Sequence, residues 1–197
     1  GRLEPAPVRA EAVTPLLDVA RDARLDFEAR RYAIVAIGDI GPQAVSAVPS
    51  LMEFMRQAPE FKDATERAII ATRSAEAVPI LLRWLSAARI GAPRSERGLN
   101  VLSAIPWDQQ PEMILDTLGR FGPQARDAAV HVLPYLQSTV LDERVAAADT
   151  LGRIGHVEAR EVLLKALRDP MDWQLSYRAA EALGRLGEPA ALPEVER

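Results

Sequence analysis

The chain has no cysteine and only two histidines, His131 and His156. Disulfide staples, thiolate metal sites and cysteine nucleophiles are excluded, and a histidine-rich metal site goes with them. Aromatic residues make up only 5% of the chain, so its core must be built from Ala, Leu, Val and Ile. Lysine is scarce as well: it stands only at positions 62 and 165, leaving 22 of the 24 basic residues as arginine. Together with the abundant alanine, that bias points to a GC-rich, bacterial genome. No uninterrupted apolar run approaches the roughly 20 residues of a membrane span. The opening stretch Gly1 to Pro7 lacks the basic-then-apolar order of a signal peptide. A cysteine-free chain suits either side of a membrane, so the compartment stays open, with the cytoplasm favoured. A chain that begins at Gly1 fits an excised segment of a longer protein.

What is present favours helix. The 197 residues are 48% hydrophobic and 26% charged, and alanine and leucine dominate the apolar set. That is enough for one domain. The net charge of −4 argues against a nucleic-acid partner, whose phosphates want a basic face.

One pattern organises the chain. Ala148-Asp149-Thr150-Leu151-Gly152-Arg153-Ile154-Gly155 recurs as Ala180 to Gly187, as Leu115 to Gly122 and as Ile34 to Gly41. Each copy runs through an apolar stretch into a glycine, two residues and a second glycine. Gly152 lies 33 residues after Gly119, and Gly184 lies 32 after Gly152. Glycines there are expected to end one helix and turn the chain into the next. Pro42 is expected at the first position of that next helix, where its missing N–H costs nothing.

The copies place five helical hairpins. Residues 10–23 read as the second helix of a repeat whose first helix is missing. The first full repeat covers 27–57, and a degenerate one covers 61–88. In that second repeat about five residues of the glycine turn are gone, so a tight and different corner is expected near Arg73. Further repeats cover 111–137, 142–169 and the stretch from Asp172 onward. Residues 89–110 break the register; 94–105 read as a short helix and 106–111 as a proline-bounded loop, and either one extra helix or a repeat reduced to a single helix would account for the break. The end at Arg197 looks cut, because a solenoid needs a polar cap.

The Ala-Leu-Gly-Arg-Ile-Gly-like run followed by an apolar helix resembles HEAT repeats. It is most similar to the short bacterial kind related to phycobilin-lyase HEAT-like repeats, and Arg144 to Pro170 carries the pattern best. That resemblance implies an all-α, right-handed α-α superhelix forming a single domain over 1–197. It puts first helices on the convex side and second helices on the concave side. It also implies a non-catalytic scaffold that holds a protein partner on the concave surface, with no cofactor and no metal. A bilin-lyase-like or DNA-glycosylase-like enzyme component is the alternative. Exposed repeat ends could also stack on themselves to give a weak dimer.

The second helices place Phe54, Trp84 and Tyr135 at one repeat position. This column is either inter-repeat core, the more common role of an apolar stripe, or a binding ladder. Arg56, Arg83 and His131 stand beside it, as surface charge or as part of a groove. Trp107, held between Pro106 and Pro111, is a candidate anchor for a partner. Arg30 and Arg144, eight residues ahead of their glycine pairs, are expected to bridge a neighbouring acid. No nucleotide-binding glycine loop and no nucleophile–base set can be assembled, so no catalytic residue is assigned.

Overall fold

The computed structural model describes residues 8–88, 107–168 and 172–187. All regular elements among them are helical: α1 Val8–Glu11, α2 Val13–Arg21, α3 Phe27–Ile40, α4 Val48–Gln57, α5 Lys62–Ala71, α6 Ala77–Ala87, α7 Pro111–Arg120, α8 Ala129–Val132, α9 Leu141–Ile154, α10 Arg160–Leu167 and α11 Trp173–Arg185. The expected short helix at 94–105 lies outside the described residues. Tertiary contacts group the chain into two compact units, 1–80 and 81–197, with the boundary inside α6.

In the 1–80 unit, α3 packs on both α2 and α5. Asp26 caps α3 by accepting from the Ala29 N–H at 2.8 Å, which satisfies one of the free donors of the first turn. Ile34 and Ile37 of α3, Leu51, Met52 and Met55 of α4, Ile69 of α5 and Phe61 fill the interior. By composition the whole stretch Phe27–Gln57 is long and apolar enough to cross a bilayer. The backbone, however, turns sharply at Gly41, with φ 68° and ψ −135°. The result is helices of 14 and 10 residues, about 21 and 15 Å long, short of a hydrocarbon core of ~30 Å.

In the 81–197 unit, α9 lies between α7 and α11 and touches both. Ile114, Leu115 and Leu118 of α7, Leu151 and Ile154 of α9, and Leu175 and Leu183 of α11 are all buried. The interior is aliphatic, as the aromatic-poor composition requires.

The two glycines of each pair have separate jobs, which revises the expectation that both end the helix. Only the second is left-handed: Gly155 has φ 73° and caps α9. The first lies inside its helix, and at Gly38, Gly119 and Gly152 it lets the next first helix approach. A Cβ on Gly152 would stand 2.5 Å from the Cα of Ala182, closer than any side chain tolerates. The degenerate corner has the same left-handed geometry without glycine: Arg73 has φ 54°.

The second helices also start differently from expectation. Gly41–Ala47 and Gly122–Ala128 form 3-10 turns, and α-helix begins only at Val48 and Ala129. The α8 segment then reverts to 3-10 geometry over Leu133–Gln137. Pro134 has no N–H to return to the Val130 carbonyl, so the α pattern cannot continue there.

In the 81–197 unit a line of charge ties the first helices together. Arg153 pairs with Asp149 at 2.8 Å on its own helix and reaches Asp116 of α7 at 3.7 Å. Arg185 of α11 meets Asp149 at 2.6 Å. Arg144 bonds to Asp172, and its Nη1 donates to the Ser138 carbonyl at 2.8 Å, as expected of that position. Arg30 behaves differently. It donates to the Ala20 carbonyl at 2.9 Å and lies 4.7 Å from the Phe61 ring centre, using a backbone oxygen and a π face in place of an acid.

Candidate functional site

The second-helix surface of the 81–197 unit is built from the C-terminal half of α6 and from α8 with the 3-10 segment after it. Tyr135 is buried, and its hydroxyl donates to the Leu85 carbonyl at 3.1 Å. Burial raises its pKa to about 12, with the nearby Glu143 charge adding to the effect. The phenol is therefore neutral, and a donor, at any physiological pH. Beside this contact opens a cavity of about 230 Å³, lined by Leu85, Ser86, Ala88, Val130, His131, Pro134 and Tyr135. Val130 is 63% exposed on its rim, and His131 is exposed next to it.

The predicted residues fall into two groups. Phe54 and Tyr135 are buried. The Phe54 ring lies 5.6 Å from that of Phe61, with the Arg30 guanidinium 5.8 Å from its centre. At these two positions the aromatic column is packing, and Trp84 is half-buried. Arg83 and His131 are exposed. Arg56 is held by Glu53 at 2.5 Å, and that hydrogen bond keeps the Glu53 carboxyl below its usual pKa. Trp107 opens a 3-10 turn, Trp107–Gln109; its side chain lies outside the described residues. Among the described residues no three His, Asp or Glu side chains converge.

Sequence reasoning missed two exposed sets. Trp173 and Tyr177 stand one turn apart on α11, 74% and 56% exposed, next to Val145 and Arg178. Their spacing of four, offset from the buried Leu175, Ala179 and Ala182, was the available signal. The second set is on α3, where Phe27, Tyr32 and Val35 are exposed and the Phe27 ring stacks on Phe61 at 4.6 Å.

Residues 131–197 match the model of HEAT repeats. Twelve solved chains are significantly similar in structure. One belongs to the complex of CpcE and CpcF of phycocyanin lyase from Nostoc sp.; it is 26% identical with a TM-score of 0.53, and the match covers 94% of this chain and 68% of that one. Another is human deoxyhypusine hydroxylase in complex with glycerol, 18% identical with a TM-score of 0.37, covering 96% and 90%. No curated protein sequence matches significantly. The resemblance to HEAT repeats holds, and the fold is the all-α HEAT-like helical solenoid.

Proposed function

We propose that the chain is a non-catalytic HEAT-repeat scaffold that binds a protein partner through the second-helix surface of its 81–197 unit. One observation carries this reading: along 94% of its length the chain is similar to a component of a two-subunit complex. The rim of Val130, His131 and Pro134 beside the 230 Å³ cavity supplies an exposed apolar patch with a polar edge, the anatomy of a contact core. Tyr135 supports that surface from beneath, while Trp84 and Arg83 extend it along α6.

The test is affinity capture with the purified chain, comparing wild type with Val130→Glu and His131→Glu. Both positions are exposed, so the helical spectrum should persist while capture of the partner falls. Undiminished capture by both variants would remove this surface from consideration.

A second reading, favoured by the same relative, is a component of a bilin lyase. Mixing the chain with a bilin should then shift the tetrapyrrole absorbance. An unchanged spectrum, with the chain alone and with its captured partner, counts against that reading.

A further inference from the structure

In the 81–197 unit, each groove between neighbouring first helices is bridged by an arginine. The acid stands three residues before the helix glycine (Asp116, Asp149, Glu181), and the arginine stands one after it (Arg120, Arg153, Arg185). Arg153 crosses to Asp116 and Arg185 crosses to Asp149. The register of α5 follows from its packing. Gly119 faces Thr150 and Gly152 faces Ala182, each two residues before the next helix glycine, while Gly38 faces Ala68. Ile70 therefore occupies the glycine register in α5. The bridging positions between α3 and α5 are then Val35 and Ala71, and neither carries a charge.

The space that arginine fills elsewhere is open here. A groove of about 350 Å³ runs between α3 and α5. Val35, Gly38, Ala68 and Ala71 line it, with Asp39 on the α3 side and Arg67 on the α5 side. The charges are exchanged relative to the other repeats: an acid follows the glycine, and an arginine takes the acid's place. Both are exposed. Among the described residues neither makes an ion pair; Arg67 donates only its Nε, to the Asp63 carbonyl at 3.1 Å. Arg31, at the groove's edge, is taken up by Glu28 at 2.7 Å. Val35, 37% exposed, gives the α3 side of the groove an apolar ridge.

We propose that this groove is a two-fold self-association surface. The α3 ridge of each copy seats in the α3/α5 groove of the other, and Asp39 of each pairs with Arg67 of the other. A two-fold interface must be self-complementary, so a residue i that meets j is answered by j meeting i. One unpaired acid and one unpaired base beside an apolar ridge and groove satisfy that condition within a single patch. Interdigitating helix ridges supply the packing. This surface belongs to the first helices and is separate from the second-helix surface assigned to a partner above, so it stands or falls by itself.

Sedimentation equilibrium of the whole chain tests it. Wild type should show a monomer–dimer equilibrium that weakens as salt is raised. Asp39→Arg and Arg67→Asp alone each set like charges together twice per dimer, and each should weaken dimerisation by about tenfold or more. The double variant Asp39→Arg/Arg67→Asp should return close to wild type. Val35→Asp/Ala71→Arg rebuilds the bridge seen in the other repeats and fills the groove; it should be monomeric with undiminished thermal stability. A wild type that stays monomeric at every concentration overturns the proposal. So do single reversals that dimerise normally, or a charge-swapped double variant as weak as the singles.

Discussion

The Tyr135 hydroxyl donates to the Leu85 carbonyl at 3.1 Å, joining residues 50 positions apart. This buried contact fastens the 3-10 segment after α8 to α6. Tyr135→Phe should cost about 1 kcal/mol, plus part of the penalty for the bereft carbonyl, measured by urea unfolding at neutral pH.

The same residue gives a pH signature. Its folded pKa is raised from the ordinary 10.0 to about 12. The stabilisation is therefore complete below pH 10 and is lost as pH climbs towards 12, where the unfolded phenol ionises first. Wild type should lose on the order of 2 kcal/mol more than Tyr135→Phe across that window. Parallel stability curves for the two proteins would contradict the assignment.

The two helix glycines Gly152 and Gly184 should respond in opposite directions to alanine. At Gly152 the new Cβ meets the Ala182 backbone at 2.5 Å, and α9 and α11 must separate, costing about 2–4 kcal/mol. At Gly184 nothing among the described residues lies within 4 Å, so alanine should stabilise α11 by up to about 1 kcal/mol. Thermal melts of the two single variants decide this.

Asp149 accepts from two arginines, Arg185 at 2.6 Å and Arg153 at 2.8 Å. The carboxylate is nearly buried, while both guanidinium groups are about a third exposed, so solvent screens the pair. Asp149→Ala should cost about 1–2 kcal/mol, less at high salt. A double-mutant cycle with Arg185→Ala should give a coupling of roughly 0.5–1 kcal/mol.

Arg73 holds a left-handed backbone, φ 54°. Arg73→Gly should stabilise the chain by up to about 1 kcal/mol by relieving that conformation, detectable as a higher melting temperature. A loss of stability would mean that its side chain contributes more than the backbone costs.

Much of the fold was legible because it repeats. Four spaced copies of the glycine pattern, with apolar residues at helical spacing, specify hairpins and their order. The corner at Arg73 was legible too, as a place where five residues were missing. The start of the second helices was not. Pro42 looked like the first residue of an α-helix, yet the Gly-Pro-Gln-Ala stretch adopts a 3-10 turn, a choice between two hydrogen-bond patterns of similar energy. The candidate surface was legible only in part. Phe54 and Tyr135 share a repeat position in the sequence and both are buried, but a one-dimensional spacing cannot say which side of a helix a neighbour covers.

From sequence alone came the helical class, the hairpin period and the aliphatic core, because these depend on local propensity and on spacing along the chain. Tertiary structure alone separated Gly152 from Gly155, one set by a 2.5 Å approach and the other by a positive φ. It also showed that the α3/α5 groove lacks the arginine bridge found in the grooves of the 81–197 unit. Both depend on what stands across from a residue, and the facing residue belongs to the next repeat, some thirty positions away.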